Sequence, residues 1–203
     1  MTPSLDSVPS LAATVGPPGH RVTPPLAEGL SDTGADIGTL EADAGDSEGL
    51  RARITELYRG EDAPGVIIYN AVIGTPDQLL TASVAHLQAA YAVDVVGAIV
   101  VAQVAAPAMK AAGFGTLIVT GGGFADHPIS ALATVSLGKA ALRSAATMLG
   151  ADLEPDGIRV ATLTIAGQIV SGTAFDPERI AERYWDVVQS DGARQAEFRY
   201  TGE

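Results

Sequence analysis

Three observations predict a three-layer α/β sandwich built on a mostly parallel sheet. Short runs rich in β-branched residues (65–70, GVIIYN; 115–120, GTLIVT; 158–165, IRVATLTI) alternate with longer Ala- and Leu-rich stretches, the pattern of βα units. The run at 65–70 is continuously apolar rather than alternating, as expected of a strand covered on both faces. Of 203 residues, 47% are apolar and 18% charged, against about 25% charged in an average globular domain, so there is material for one sizeable core.

Six of the 12 prolines fall in residues 1–25, which forbids a long helix and discourages a central strand there. The expected organisation is therefore an irregular arm at 1–25 and a single domain over 26–203. Within the domain, 36–42 (DIGTLEA) reads as a short strand. Asp46 or Ser47 then caps a helix with Leu50, Ile54 and Leu57 on one face, stopped by Gly60. After the strand at 65–70, a turn at Thr75-Pro76 leads to a long helix over 83–112 that Pro107 kinks or ends. The strand at 115–120 breaks at Gly121-Gly122-Gly123. Ser130 is the candidate cap of a helix over 132–153. The strand at 158–165, a loop to Asp176-Pro177 and a helix over 178–188 complete the series.

The charge balance narrows function. Twelve Lys and Arg against 24 Asp and Glu give a net charge of -12, which argues against nucleic-acid backbones and anionic membrane surfaces as partners. The absence of Cys removes disulfides, thiolate metal sites and thiol nucleophiles and fits a reducing compartment, so a cytoplasmic location is expected. The apolar run at 95–109 contains Gln103 and Pro107 and falls short of the roughly 20 residues of a membrane helix; it reads as buried. No basic residue precedes His20, so a secretory leader is not expected.

Few chemical motifs stand out. Ser136-Leu137-Gly138-Lys139 spells S-x-x-K, but the S-D-N and K-T-G partners of that nucleophile motif are absent. His20, His86 and His127 have no spacing that puts two on one helical face, so a metal site is not expected. Lys139 is one of only two lysines.

The order of segments over residues 23–173 resembles the short-chain dehydrogenase/reductase family, which implies a Rossmann-like fold and hydride transfer between NAD or NADP and a carbonyl or alcohol. The family's Asn-Asn-Ala-Gly run corresponds to Tyr69-Asn70-Ala71-Val72, and its active-site lysine to Lys139. Its tyrosine, four residues before the lysine, falls on Val135; its serine, 13 residues before that, on Gly122; its helix-kinking asparagine on Asp94. Of the four catalytic positions Lys139 alone is kept. Asp43 matches either the acidic residue that bonds the adenine amino group or a helix-side cap beside Asp46. Ala166-Gly167 matches the Pro-Gly turn at the nicotinamide, with Ile169 and Ser171 as backbone and hydroxyl contacts; an ordinary strand-to-helix loop is the alternative. The glycine-rich phosphate turn has one candidate, 15–19 (VGPPG), where two prolines remove N–H donors. It lies only 20 residues before Asp36, so the N-terminal βαβ unit reads as incomplete.

The resemblance implies a cofactor-binding set of Asp43, Asn70, Ala71, Lys139, Gly167, Ile169 and Ser171, with Lys139 also catalytic. A valine has no proton to give at the acid's position, and a water-linked role for Ser136 or Thr134 is the remaining local substitute. Three readings follow: an NAD(P)-dependent oxidoreductase with impaired or altered catalysis, a non-catalytic binding or oligomerisation scaffold, or an internally deleted derivative of an active enzyme. A small-molecule substrate is expected if the protein is active. In the family, the helices matching 83–112 and 132–153 form the subunit interface, so a homodimer or homotetramer through them is expected.

Overall fold

The structure, a computed structural model, describes residues 42–59, 63–190 and 196–203. The irregular arm, most of the expected strand at 36–42, the Gly60 helix stop and the candidate phosphate turn lie outside the described residues.

Among the described residues, four α-helices and four strands follow in chain order: α1 (Ser47–Leu57), β1 (Val66–Tyr69), α2 (Val84–Ala112), β2 (Gly115–Gly122), α3 (Ala133–Leu153), β3 (Ile158–Ile165), α4 (Pro177–Gln189) and β4 (Glu197–Tyr200). The strands form one sheet in the order β1-β2-β3-β4 with every pairing parallel. Leu117, Val119, Ile158 and Val160 pack on one face against residues of α1, α2 and α3, including Leu50, Val93, Val101, Leu142 and Ala146. Ile118, Ala161, Leu163 and Ile165 pack on the other against Ile180 and Val187 of α4 and Tyr200. The expected three-layer, parallel α/β architecture is what the described residues form.

Local chemistry explains the element boundaries. Asp46 caps α1 by accepting the Gly49 N–H at 3.1 Å, and Ser83 caps α2 by accepting from His86 at 3.1 Å. Pro107 neither ends nor breaks α2, which runs to Ala112 and closes on Gly113 at φ 74°, where glycine meets no Cβ penalty. The irregularity lies earlier, in a π-turn over Ala92–Val96. By length and composition α2 could cross a membrane, yet 56% of its most apolar 18-residue window is buried inside the fold.

Three expectations need correction, and one strand was not expected. β1 is not covered on both faces: Ile68 is 43% exposed and stands outside the cluster that α4 packs on the face of its partner Ile118. β2 does not break at Gly121 but pairs with β3 through Gly122. The Cβ that Gly121 lacks would lie 2.6 Å from both Thr162 Cγ2 and Thr164 Oγ1, so glycine here serves close packing of strand on strand. Ser130 does not cap α3; the N-cap is Leu132, without a side-chain bond, and the Thr134 N–H is met from a distance by Asp77 at 3.2 Å. Finally, β4 had no sequence expectation.

Candidate functional site

In a parallel sheet the crevice outside the carboxyl ends of the strands is where ligands bind. Here that edge is formed by Tyr69-Asn70-Ala71 after β1, Gly121-Gly122-Gly123 at the end of β2, and Ile165-Ala166-Gly167 after β3. The last two meet, since a Cβ on Gly123 would lie 3.6 Å from the Ala166 Cα.

Lys139, on α3, is buried to 9% exposure. Its Nζ donates to the Thr120 carbonyl at 2.7 Å, which holds the ammonium beneath the end of β2. Burial pushes its pKa down and the Asp94 charge opposes that shift. Gly122 flanks the lysine stem: an added Cβ would sit 3.6 to 3.9 Å from Lys139 Cγ, Cε and Cδ. Val135, one turn before the lysine, is buried in the same helix.

Asp94 stands in the π-turn of α2 at 2% exposure. Its Oδ1 accepts the Ile73 N–H at 2.8 Å, whereas the buried Oδ2 has no hydrogen-bond partner. Oδ2 faces Gly138, whose absent Cβ would come within 2.6 Å. Desolvation raises the Asp94 pKa to about 6, against the lowering effects of the Ile73 N–H, Lys139 and His86. Tyr69 donates its hydroxyl to the Val93 carbonyl next door. Of the four sequence-predicted positions, Gly122 thus borders the lysine stem and Asp94 borders Gly138, the residue before Lys139, while Val135 lies one turn earlier on the same helix.

The remaining predicted residues are arranged around them. Asn70 is exposed and Ala71 buried at the end of β1. Asp43 accepts the Gly45 N–H at 2.8 Å in a tight turn that packs toward Val93, 3.4 Å from where a Gly45 Cβ would be. Its carbonyl also accepts the Asp46 N–H at 3.2 Å, so it leads into α1. Ile169 and Ser171 are exposed in the loop after β3. Gly167 lies under the Phe175 ring, which occupies the volume a Cβ would need, and Phe175 stacks edge-on against Tyr200 with centroids 5.5 Å apart. Gly167→Ala is therefore expected to cost about 1–3 kcal/mol through overpacking; a thermal melt matching wild type would refute the close packing. Ser136 donates to the Leu132 carbonyl at 2.9 Å and accepts from the Ile129 N–H at 3.2 Å, so its hydroxyl is engaged in holding the start of α3.

Several supporting groups had no expectation. Asp77 accepts from the Thr134 N–H and meets His86 Nε2 at 3.0 Å, tying the loop after β1 to the starts of α2 and α3; chiefly the Thr134 hydrogen bond holds its pKa low. Asp126 binds Arg143 at 2.7 Å and Arg199 at 2.7 Å, pinning the loop after β2. The Tyr184 hydroxyl on α4 pairs with the Thr120 hydroxyl. Such partners are far apart in the chain, and no local pattern announces them.

A parallel sheet with helices on both faces and a buried lysine under the strand ends defines a Rossmann-like α/β protein. The family model described as "Enoyl-(Acyl carrier protein) reductase" matches residues 11–178, and the chain belongs to the short-chain dehydrogenase/reductase family. Three solved structures share the fold. An alcohol dehydrogenase from the archaeon Thermococcus sibiricus, complexed with 5-hydroxy-NADP, is 16% identical, with TM-score 0.79 over 94% of this chain and 86% of that one. A metagenomic short-chain oxidoreductase in complex with NADP is 22% identical, with TM-score 0.75 over 87% and 80%. A bulky-bulky ketone specific alcohol dehydrogenase from Comamonas testosteroni is 17% identical, with TM-score 0.76 over 94% and 76%. No curated protein matches the sequence.

Proposed function

We propose that the protein binds an NAD or NADP dinucleotide and is an oxidoreductase of the short-chain dehydrogenase/reductase type whose hydride-transfer chemistry on a carbonyl or alcohol is impaired or altered. One observation carries this reading: the ammonium of Lys139 is held in place by the Thr120 carbonyl, while the neighbouring positions that should carry the acid and the orienting hydroxyl hold Val135 and Gly122. The lysine side of the site fits a cofactor ribose. An ammonium has three donors, and the bond to Thr120 uses one of them. Asn70 and Ala71 follow β1, the strand paired with β2 whose Thr120 carbonyl holds the lysine, and Asp43 stands in the turn before α1. Ile169 and Ser171 are exposed on the loop that would face the nicotinamide.

A bound reduced dinucleotide would supply the hydride. The chain's own residues would position it but provide no phenol to protonate the substrate oxygen, and general acid catalysis of that kind contributes roughly 10²- to 10⁴-fold. Self-association through α2 and α3 is part of the proposal, supported by the exposed apolar side chains of Val84, Tyr91, Leu137 and Met148 on these helices.

The test is calorimetric titration with NADH and NADPH of the wild type and of Lys139→Ala. Saturable binding by the wild type, weakened roughly tenfold to a hundredfold by loss of the charged hydrogen bond, is the expected result. A second reading, a non-catalytic scaffold, is favoured by the Phe175 ring lying over Gly167. Folded protein that binds neither nucleotide would decide for the scaffold.

A further inference from the structure

The chain has two lysines, and they stand in opposite surroundings. Lys110 pairs with Asp156 at the surface, 2.6 Å away. Lys139 is 9% exposed. Among the described residues its Nζ has one hydrogen-bond partner, the neutral Thr120 carbonyl at 2.7 Å, and no carboxylate at ion-pair distance. The stem runs beside Gly122: the three atoms nearest to where a Gly122 Cβ would be are Lys139 Cγ, Cε and Cδ, at 3.6 to 3.9 Å. Glycine there places no side chain between the stem and the crevice at the strand ends, and Val135 one turn earlier is buried and purely aliphatic. An ammonium in a desolvated place with a neutral acceptor gives up its proton more readily than one in water, and the free amine is a nucleophile toward carbonyl carbon. Burial acts in that direction on Lys139, and the charge of Asp94 acts against it.

We propose that Lys139 is a carbonyl-reactive amine, whose Nζ beside Gly122 forms an imine with a small uncharged aldehyde that enters the crevice. The ammonium releases a proton to solvent and its nitrogen adds to the carbonyl carbon. The carbinolamine then loses water, which leaves a carbon–nitrogen double bond on Nζ; no electron is gained or lost, and hydrolysis reverses the step. The aldehyde is uncharged because an apolar, desolvated site does not take an ion without a partner, and the net charge of -12 repels anionic carbonyl compounds. This activity goes beyond hydride transfer and needs no nucleotide.

The test incubates the protein with butanal at pH 7 and traps the imine with borohydride, which leaves a butyl group on the nitrogen. Peptide mapping by mass spectrometry then reads Lys139 and Lys110 separately, with Lys110 as the internal control. Lys139 is expected to be labelled about tenfold faster than Lys110, the factor in free amine that one unit of pKa difference supplies. Lys139→Arg should remove the fast phase and leave the labelling of Lys110 unchanged. Equal rates at the two lysines, or folded protein labelled at Lys110 and not at Lys139, would overturn the proposal. The ratio within the wild type alone decides if the variant fails to fold. A parallel incubation with NADPH separates this chemistry from the dinucleotide reading. Slower labelling of Lys139 would support both; labelling that is fast and indifferent to NADPH upholds the imine and counts against a ribose on the lysine.

Discussion

Asp94→Asn should stabilise the protein by up to about 3 kcal/mol at pH 8 and by almost nothing at pH 4. The carboxyl has a pKa of about 6 in the fold, against an ordinary value of 3.8. Below pH 3.8 it is protonated whether the chain is folded or not, and contributes no pH dependence. Between 3.8 and 6 the unfolded chain releases its proton while the folded chain retains it, so stability falls as pH rises. Above 6 the full penalty of an ionised buried carboxylate is present, about 1.4 kcal/mol per unit of difference. Asparagine keeps an acceptor for the Ile73 N–H and carries no charge. Denaturant unfolding of both proteins at pH 4, 6 and 8 tests this, and a difference independent of pH would sink it.

Restoring the two missing hydroxyls, Gly122→Ser with Val135→Tyr, is expected to raise turnover of a carbonyl panel with NADPH roughly 10²- to 10⁴-fold. Serine fits, because Gly122 is in extended backbone at φ -156° and its Cβ would make ordinary contacts with the Lys139 stem. Tyrosine is harder to place. Val135 is buried, and the larger ring would cost about 1–3 kcal/mol of overpacking unless the neighbouring loop gives way. From one turn before Lys139 its phenol could reach the ammonium, which would favour the phenolate and so tune the acid. Gly122→Ser alone should gain little, since it supplies no acid. A folded double variant that binds NADPH but turns over no faster than the wild type would refute the view that the missing acid limits catalysis.

The strands and helices that face the core were legible because their apolar runs are long and local chemistry bounds them: Asp46 starts α1, Ser83 starts α2, and β3 lies between Gly157 and Gly167. Lys139 was legible through the family resemblance, which then placed Val135 four residues before it and Gly122 a further 13 back. What the sequence concealed is cooperative. Gly121 looks like a strand breaker until Thr162 and Thr164 are seen packed against it. The start of α3 looks for a cap in its own loop and receives one from Asp77, 57 residues earlier. The strand Glu197–Tyr200 carries Glu and Arg among its four residues; they find partners in Thr164 and Asp126, an arrangement that alternation alone does not predict. The Phe175 ring over Gly167 likewise belongs to tertiary packing.

The π-turn over Ala92–Val96 amounts to one surplus residue stored in an otherwise regular helix. Deleting a residue there would heal the hydrogen-bond ladder while leaving the buried faces of both flanking segments where they are, so the helix itself has no use for the insertion. Its beneficiaries are neighbours: the Val93 carbonyl is turned to receive the Tyr69 hydroxyl, and Asp94 is turned inward to Ile73 and Gly138. A shortened α2 could fold as a smoother cylinder and lose both attachments together, which makes this single extra residue the joint between the longest helix and the edge where ligands would arrive.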